Sequence, residues 1–218
     1  MRIFLDNAAT TPLTPSVLEA MLPYLQANFG NPSATYAEGR TTRAAIERAR
    51  KQLASHLKAS PSEIIFTSGG TEANNMAIKC AVRDLGIERI ISSPIEHACV
   101  LNAVQQVTQQ YGLELVYVPL EPSGRASLSA LAQILAQSPK KTLVSLMHAN
   151  NELGTLNDIE AIGELCQQHG AYFHSDTVQT VGHLPINLQK IKAHFISGSA
   201  HKLHGPKGTG FLYIQKQV

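Results

Sequence analysis

Two lysines, two histidines and four glycines fall within SGSAHKLHGPKGTGF, residues 197–211. Lys202 follows directly on an apolar run, whereas Lys207 lies inside the glycine-rich GPKGTG. A lysine drawn into a partly desolvated site holds its proton less tightly and becomes an amine nucleophile toward a carbonyl. Lys202 is placed for that chemistry, and Lys207 is better placed to be solvated. GPKGTG lacks the G-x-x-x-x-G-K-[ST] spacing, so the loop does not read as the phosphate loop of an NTPase. His201 and His204 would permit a metal ion, but no carboxylate or cysteine stands near enough to complete a zinc set.

Four other stretches carry chemistry. Ser68-Gly69-Gly70-Thr71 precedes a helix that Glu72 begins, so its backbone N–H groups and the helix dipole suit an anion such as phosphate. A plain tight turn is the alternative. Asp176 ends a run of Ala171, Tyr172 and Phe173, where a carboxylate needs a cationic partner unless it simply caps a helix. His97 reads either as a packed histidine or as a ring stacked on a flat ligand. Asn150 and Gln179 read as turn and solvated-helix residues unless they share a site with the others.

The elements that must position these groups alternate along the chain. Thr14-Pro15 reads as an N-cap followed by Pro at the first helical position, opening a short helix that Pro23 interrupts near its end. Ala45, Ala49, Leu53 and Leu57 recur every four residues in a helix over about 38–57. Short apolar runs then follow at 63–66, 89–92, 114–120, 142–147, 171–175, 194–197 and 210–214, most of them separated by helix-length segments. The alternation predicts an α/β fold with a mainly parallel sheet and helices on both faces. In such a sheet ligands bind beyond the carboxyl ends of the strands. TSGGTEANN, SPIEHA, HANNELG, HSDTVQ and SGSAHK all follow strands and would converge there.

Composition narrows the classes. The 218 residues carry 18 basic and 16 acidic side chains, a net charge of +2, with no basic block to track a nucleic acid. No apolar run has the length of a membrane span, and MRIFLDNAATT turns polar too soon for a signal peptide. The expectation is a soluble, cytoplasmic chain. Cys80, Cys99 and Cys166 are odd in number and far apart, which fits a reducing compartment rather than a disulfide framework.

An anion-binding turn, a stacking histidine, an aspartate, a glutamine and a lysine at one sheet edge match what pyridoxal 5'-phosphate needs. LDNAATTP, FGNPSA, FTSGGTEANN, EHACV, MHANNELG, DTVQTVG and SGSAHKLHGPKGTG run in order along the chain and resemble the NifS/IscS-like cysteine desulfurases of the class V aminotransferase superfamily. The resemblance implies the large domain of a fold type I pyridoxal-phosphate enzyme. Residues 1–60 would be the arm and first helices, and residues 61–218 the cofactor-binding core.

Carried onto this chain, the resemblance implies that Lys202 is the Schiff-base lysine and the base at the substrate Cα. Asp176 would hold the pyridine nitrogen protonated, and Gln179 and Asn150 would face the ring oxygen and the substrate. His97 would stack on the ring and shuttle protons, while Gly70, Thr71, Ser199 and His201 would hold the phosphate. Tyr36 and the pair Thr177-Val178 depart from the usual pattern. The family's smaller C-terminal domain brings a nucleophilic cysteine on a mobile loop and a carboxylate-binding arginine. The expectation is therefore a large domain truncated before that segment and inactive alone, with none of Cys80, Cys99 and Cys166 matching the nucleophile. L-Cysteine as substrate, a homodimer and a sulfur-accepting or scaffold protein are the implied partners. A selenocysteine lyase or aminotransferase of the same superfamily, and a non-catalytic scaffold fragment, are the alternatives.

Overall fold

The computed structural model describes residues 3–218. All seven apolar runs form strands: β1 (Ile64–Thr67), β2 (Arg89–Ser92), β3 (Glu114–Tyr117), β4 (Thr142–Ser145), β5 (Tyr172–Asp176), β6 (Phe195–Ser199) and β7 (Gly210–Ile214). They make one sheet in the order β1-β7-β6-β5-β4-β2-β3. Only β7 runs against its neighbours, pairing antiparallel with both β1 and β6. That double reversal leaves β1 running with β2 to β6, so the carboxyl ends of six strands share one edge.

Each apolar strand offers alternate residues to opposite faces, as a pleated strand must. One face presents Ile91, Val144, Phe173 and Ile196 to α2 (Ala37–Leu57), α5 (Leu128–Ala136), α6 (Ile159–Gln168) and α7 (Leu188–Ile191). The other presents Ile90, Leu143, Phe195 and Leu212 to α3 (Gly70–Leu85) and α4 (Ala98–Tyr111). Burial on both sides explains why the strands read as continuous apolar runs rather than alternating ones. Gly86 and Gly112 end α3 and α4 in the left-handed conformation, at φ 66° and 64°.

Thr14 and Pro15 take the N-cap and first helical positions as the sequence indicates, and two other local expectations are corrected. In α2 the buried stripe is Ala54 and Leu57 with Leu53 beside them, and Ala49 is exposed. A strict four-residue repeat advances about 40° beyond full turns at each step, so Ala45 and Ala49 drift off the face that Leu57 occupies. Thr14 precedes α1 (Pro15–Gln26) but makes no side-chain capping bond. Its backbone is committed instead, with its N–H on the His204 carbonyl and its own carbonyl accepting from Leu18. Pro23 lies inside α1, which runs on to Gln26 and buries none of its residues. No helix of the described residues is long and apolar enough to cross a membrane.

Candidate functional site

The carboxyl edge of the sheet opens into a cleft of about 430 Å3. Asp176 enters it as the last residue of β5, opposite Ser197 of β6 in register. Ser199 ends β6, and the chain turns at once through a short 3-10 segment, Ala200–Lys202, that carries His201 and Lys202 to the rim. Gly70 and Thr71 open α3 on the facing side, and His97 caps α4. Gly70, Thr71, His97, Asp176, Gln179, Ser199, His201 and Lys202 all line this one cleft.

Asn150 is not among the lining residues. Its amide donates to the Ile95 carbonyl at 2.6 Å, and its side-chain oxygen accepts from the backbone N–H groups of Glu152 and Leu153. The side chain thus ties its own loop to the Ile95 carbonyl of the loop after β2, and Asn151 and Glu152 reach the cleft.

The cleft has two chemically distinct ends. At one end the first turn of the 16-residue α3 meets Ser199, His201 and the Thr71 hydroxyl, with Ser68 and Lys207 beyond them in an adjoining hollow of about 400 Å3. Free N–H groups at a helix start and hydroxyl donors suit an anion. A Cβ on residue 70 would lie 2.5 Å from Val178 Cγ2, so only glycine keeps that wall open. At the other end lies the Asp176 carboxyl, only 6% exposed. Burial pushes its pKa up, against hydrogen bonds from the Val178 N–H and the Asn74 amide and the nearby charge of His97. A carboxyl so placed suits a cationic ring nitrogen.

Lys202 lies between the two ends. Burial pushes its pKa down, while Asp6 and Asp176 act in the opposite sense. Its Nζ donates to the carbonyls of Ala8 and Ala9, the latter at 2.7 Å. Gln179 Nε2 donates to the same Ala8 carbonyl at 2.9 Å. A strap made by residues 6–11 therefore lies across the lysine. It is pinned by Thr11, whose Oγ donates to the His201 carbonyl and accepts from the His204 N–H. His97 Nδ1 accepts from the Cys99 N–H at 3.2 Å, so in the neutral imidazole the proton sits on Nε2.

The strap, Asn74, His174 and Glu96 are not marked as site residues by the sequence, whereas Cys99, two residues past His97, is the one cysteine the sequence places within reach of the site. Cys99 lines the cleft with its sulfur 3.0 Å from His97 Nδ1, and burial raises its pKa. Glu96 is buried beside the Met147 N–H at 2.9 Å, and burial pushes its pKa well up. Asn74 carried a usable signal. It stands on the buried stripe of α3 with Gly70, Ala73, Ala77 and Ile78, where a polar residue needs a partner. Cys166 is buried in the core, whereas Cys80 is half-buried beside Arg83 rather than on the buried stripe of α3. Among the described residues no group of three or more His, Cys, Asp or Glu could hold a metal ion.

Comparison with known proteins agrees with this architecture. The aminotransferase class-V family matches residues 3–218. The cysteine desulfurase IscS of Dictyoglomus turgidum (strain DSM 6724 / Z-1310) is 45% identical over 216 residues, covering 98% of this chain and 54% of that protein. A solved NifS-like protein superposes with a TM-score of 0.93 at 36% identity, over 100% of this chain and 60% of the other. The structure of SspA in complex with cysteine gives 0.92 at 39% identity, over 99% and 62%. The chain thus spans about half the length of curated relatives such as the first. With the family pattern continuous over residues 3–218 and the fold in agreement, the chain belongs to the class-V aminotransferases.

Proposed function

We propose that this chain binds pyridoxal 5'-phosphate and forms the cofactor-binding large domain of a cysteine desulfurase, with residues 1–60 as its arm and 61–218 as its core. The whole-protein reaction would convert L-cysteine to L-alanine and pass the sulfur to an enzyme cysteine as a persulfide. Iron–sulfur clusters and other sulfur-containing products would draw on it through an acceptor or scaffold protein. The observation that carries the reading is the meeting of Lys202 and Asp176 in one cleft with an anion-binding helix start. Complexation of the similar SspA with cysteine supports that substrate.

Pyridoxal phosphate, when bound, supplies an aldehyde for amines and a ring that accepts the electron pair of a deprotonated Cα. The chain's residues do the rest. The first turn of α3, Thr71, Ser199 and His201 bind the phosphate, and Lys202 holds the cofactor through its amine. Asp176 keeps a proton on the ring nitrogen, Gln179 faces the ring oxygen, and His97 covers the ring with a proton on Nε2. Lys202 is the base that takes the Cα proton.

Sulfur transfer needs a thiolate within reach of the substrate sulfur. Cys166 is buried in the core, Cys80 is remote on α3, and Cys99 is held as a thiol by burial beside His97. These placements support the implication of the family resemblance, that the sulfur-receiving cysteine is not one of these three. The exposed apolar side chains of Phe4, Leu5, Leu18, Leu25 and Phe29 favour a homodimer, and three free thiols suit the cytoplasm. The test is alanine and sulfide release from L-cysteine by the cofactor-loaded chain, with Cα proton exchange followed in heavy water. Exchange without alanine is expected. Robust turnover that disappears in Cys99→Ser would overturn the assignment of the nucleophile, and absence of both cofactor binding and exchange would overturn the reading.

A further inference from the structure

A chain of four buried side chains runs from the centre of the sheet into the cleft. Asn74 Nδ2 donates to Asp176 Oδ2 at 2.6 Å, and Asn74 Oδ1 lies 3.1 Å from His174 Nε2. His174 Nδ1 in turn lies 2.8 Å from Ser145 Oγ. Asn74, His174 and Ser145 are each 0% exposed.

The direction of every bond follows from the first. A carboxylate only accepts, so the NH2 of Asn74 faces Asp176 and its oxygen faces the imidazole. That oxygen only accepts, so His174 carries its proton on Nε2, and the Ser145 hydroxyl donates to Nδ1. Burial keeps the ring neutral, with its pKa pushed down to about 3. With the tautomer fixed, a flip of the Asn74 amide would set N–H against N–H at one end and oxygen against carboxylate at the other. An asparagine has no proton to gain or lose, so it presents the same donor to Asp176 at any pH.

The remaining groups around the carboxyl define what this donor does. The Val178 N–H reaches Oδ1 at 2.9 Å. His97 and Lys202 are near enough for their charges to favour the ionised form, whereas Glu96 and Cys99 would oppose it if ionised and are pushed toward neutrality by burial. The Ser197 hydroxyl also favours the ionised form, but the Asn74 amide is the neutral side-chain donor that His174 and Ser145 lock from behind. From this geometry we infer that Asn74, held by His174 and Ser145, is a positioning residue that keeps Asp176 ionised and aimed into the cleft for a protonated ring nitrogen. The ring nitrogen rests on the cofactor reading above, and the hold on Asp176 does not.

The experiment is a carboxyl 13C titration of Asp176 in the full, cofactor-free chain, with backbone amide spectra recorded to verify folding. Asn74→Leu and His174→Phe should each raise the Asp176 midpoint by about one pH unit. His174→Gln places an amide N–H near the position of Nε2 and should leave the midpoint close to that of the parent chain. Unchanged midpoints in Asn74→Leu and His174→Phe, or equal shifts in the Phe and Gln variants, would overturn the inference. If Asn74→Leu does not fold, the two His174 variants decide. Because no cofactor is present, failure here leaves cofactor binding and Cα proton exchange untouched, and failure of those leaves this titration standing.

Discussion

The amine of Lys202 rests 2.7 Å from the backbone carbonyl of Ala9, a residue 193 positions earlier in the chain. The contact fastens the N-terminal strap over the lysine and leaves the amine facing carbonyl oxygens that favour its charged form. Burial of the same amine pulls the other way. Lys202 must exchange these carbonyls for a substrate or cofactor carbonyl to act as a nucleophile.

The strap depends on Thr11, which is 7% exposed and bonds to both His201 and His204 of the lysine loop. Thr11→Val keeps the shape and removes both bonds, leaving the His204 N–H without that acceptor. A loss of about 1–3 kcal/mol is expected in urea unfolding. An unchanged midpoint would show that the strap contributes nothing to stability.

Gly163 of α6 faces α7 so closely that an added Cβ would lie 1.8 Å from the Ile191 carbonyl oxygen. Backbone cannot rotate aside as a side chain can, so Gly163→Ala should cost about 1–3 kcal/mol. Pyridoxal phosphate binding at the far edge of the sheet should survive. Wild-type stability in this variant would contradict the close approach of the two helices.

His174 links stability to pH. Its folded-state pKa is pushed down to about 3 from 6.5, so between those values the unfolded chain binds a proton that the folded chain does not. Stability should fall as pH drops below about 6.5, by on the order of 2 kcal/mol at pH 4.5 from this residue. His174→Gln removes the titration, and denaturant midpoints at pH 7 and 4.5 should converge relative to the parent chain. Parallel pH profiles for the two proteins would refute the buried neutral imidazole.

The cysteines should differ in reactivity. Cys166 is buried, with its pKa pushed far up by burial, and should resist iodoacetamide until the chain unfolds. Cys99 lines the cleft, so bound pyridoxal phosphate should slow its modification but not that of Cys80. Mass spectrometry of the three tryptic peptides reads this directly. Equal rates at Cys99 with and without the cofactor would place the ligand elsewhere.

Much of this was legible in residue order. Strands buried on both faces announce themselves as unbroken apolar runs, and polar clusters directly after Phe66, Ser92, Met147, Phe173 and Ile196 could converge only if the strands run together. Eight of the nine candidate site residues accordingly line one cleft. Of the nine, Asn150 stands outside that lining, with its amide on the Ile95 carbonyl and its oxygen on the Glu152 and Leu153 N–H groups, an engagement that a residue type in a loop does not reveal. The strap was invisible for a different reason. Ala8 and Ala9 act through backbone carbonyls, which every residue has, so no side-chain type marks them. Asn74 lay between these extremes, marked by its place on an apolar stripe but not by the identity of its partners.

The central claim is that Lys202, and not Lys207, carries the cofactor. Borohydride reduction of the chain loaded with pyridoxal phosphate, followed by peptide mapping, tests it most directly. A phosphopyridoxyl group is expected on the peptide containing Lys202, lost in Lys202→Ala and retained in Lys207→Ala. A label on Lys207, or on no lysine at all, would contradict it.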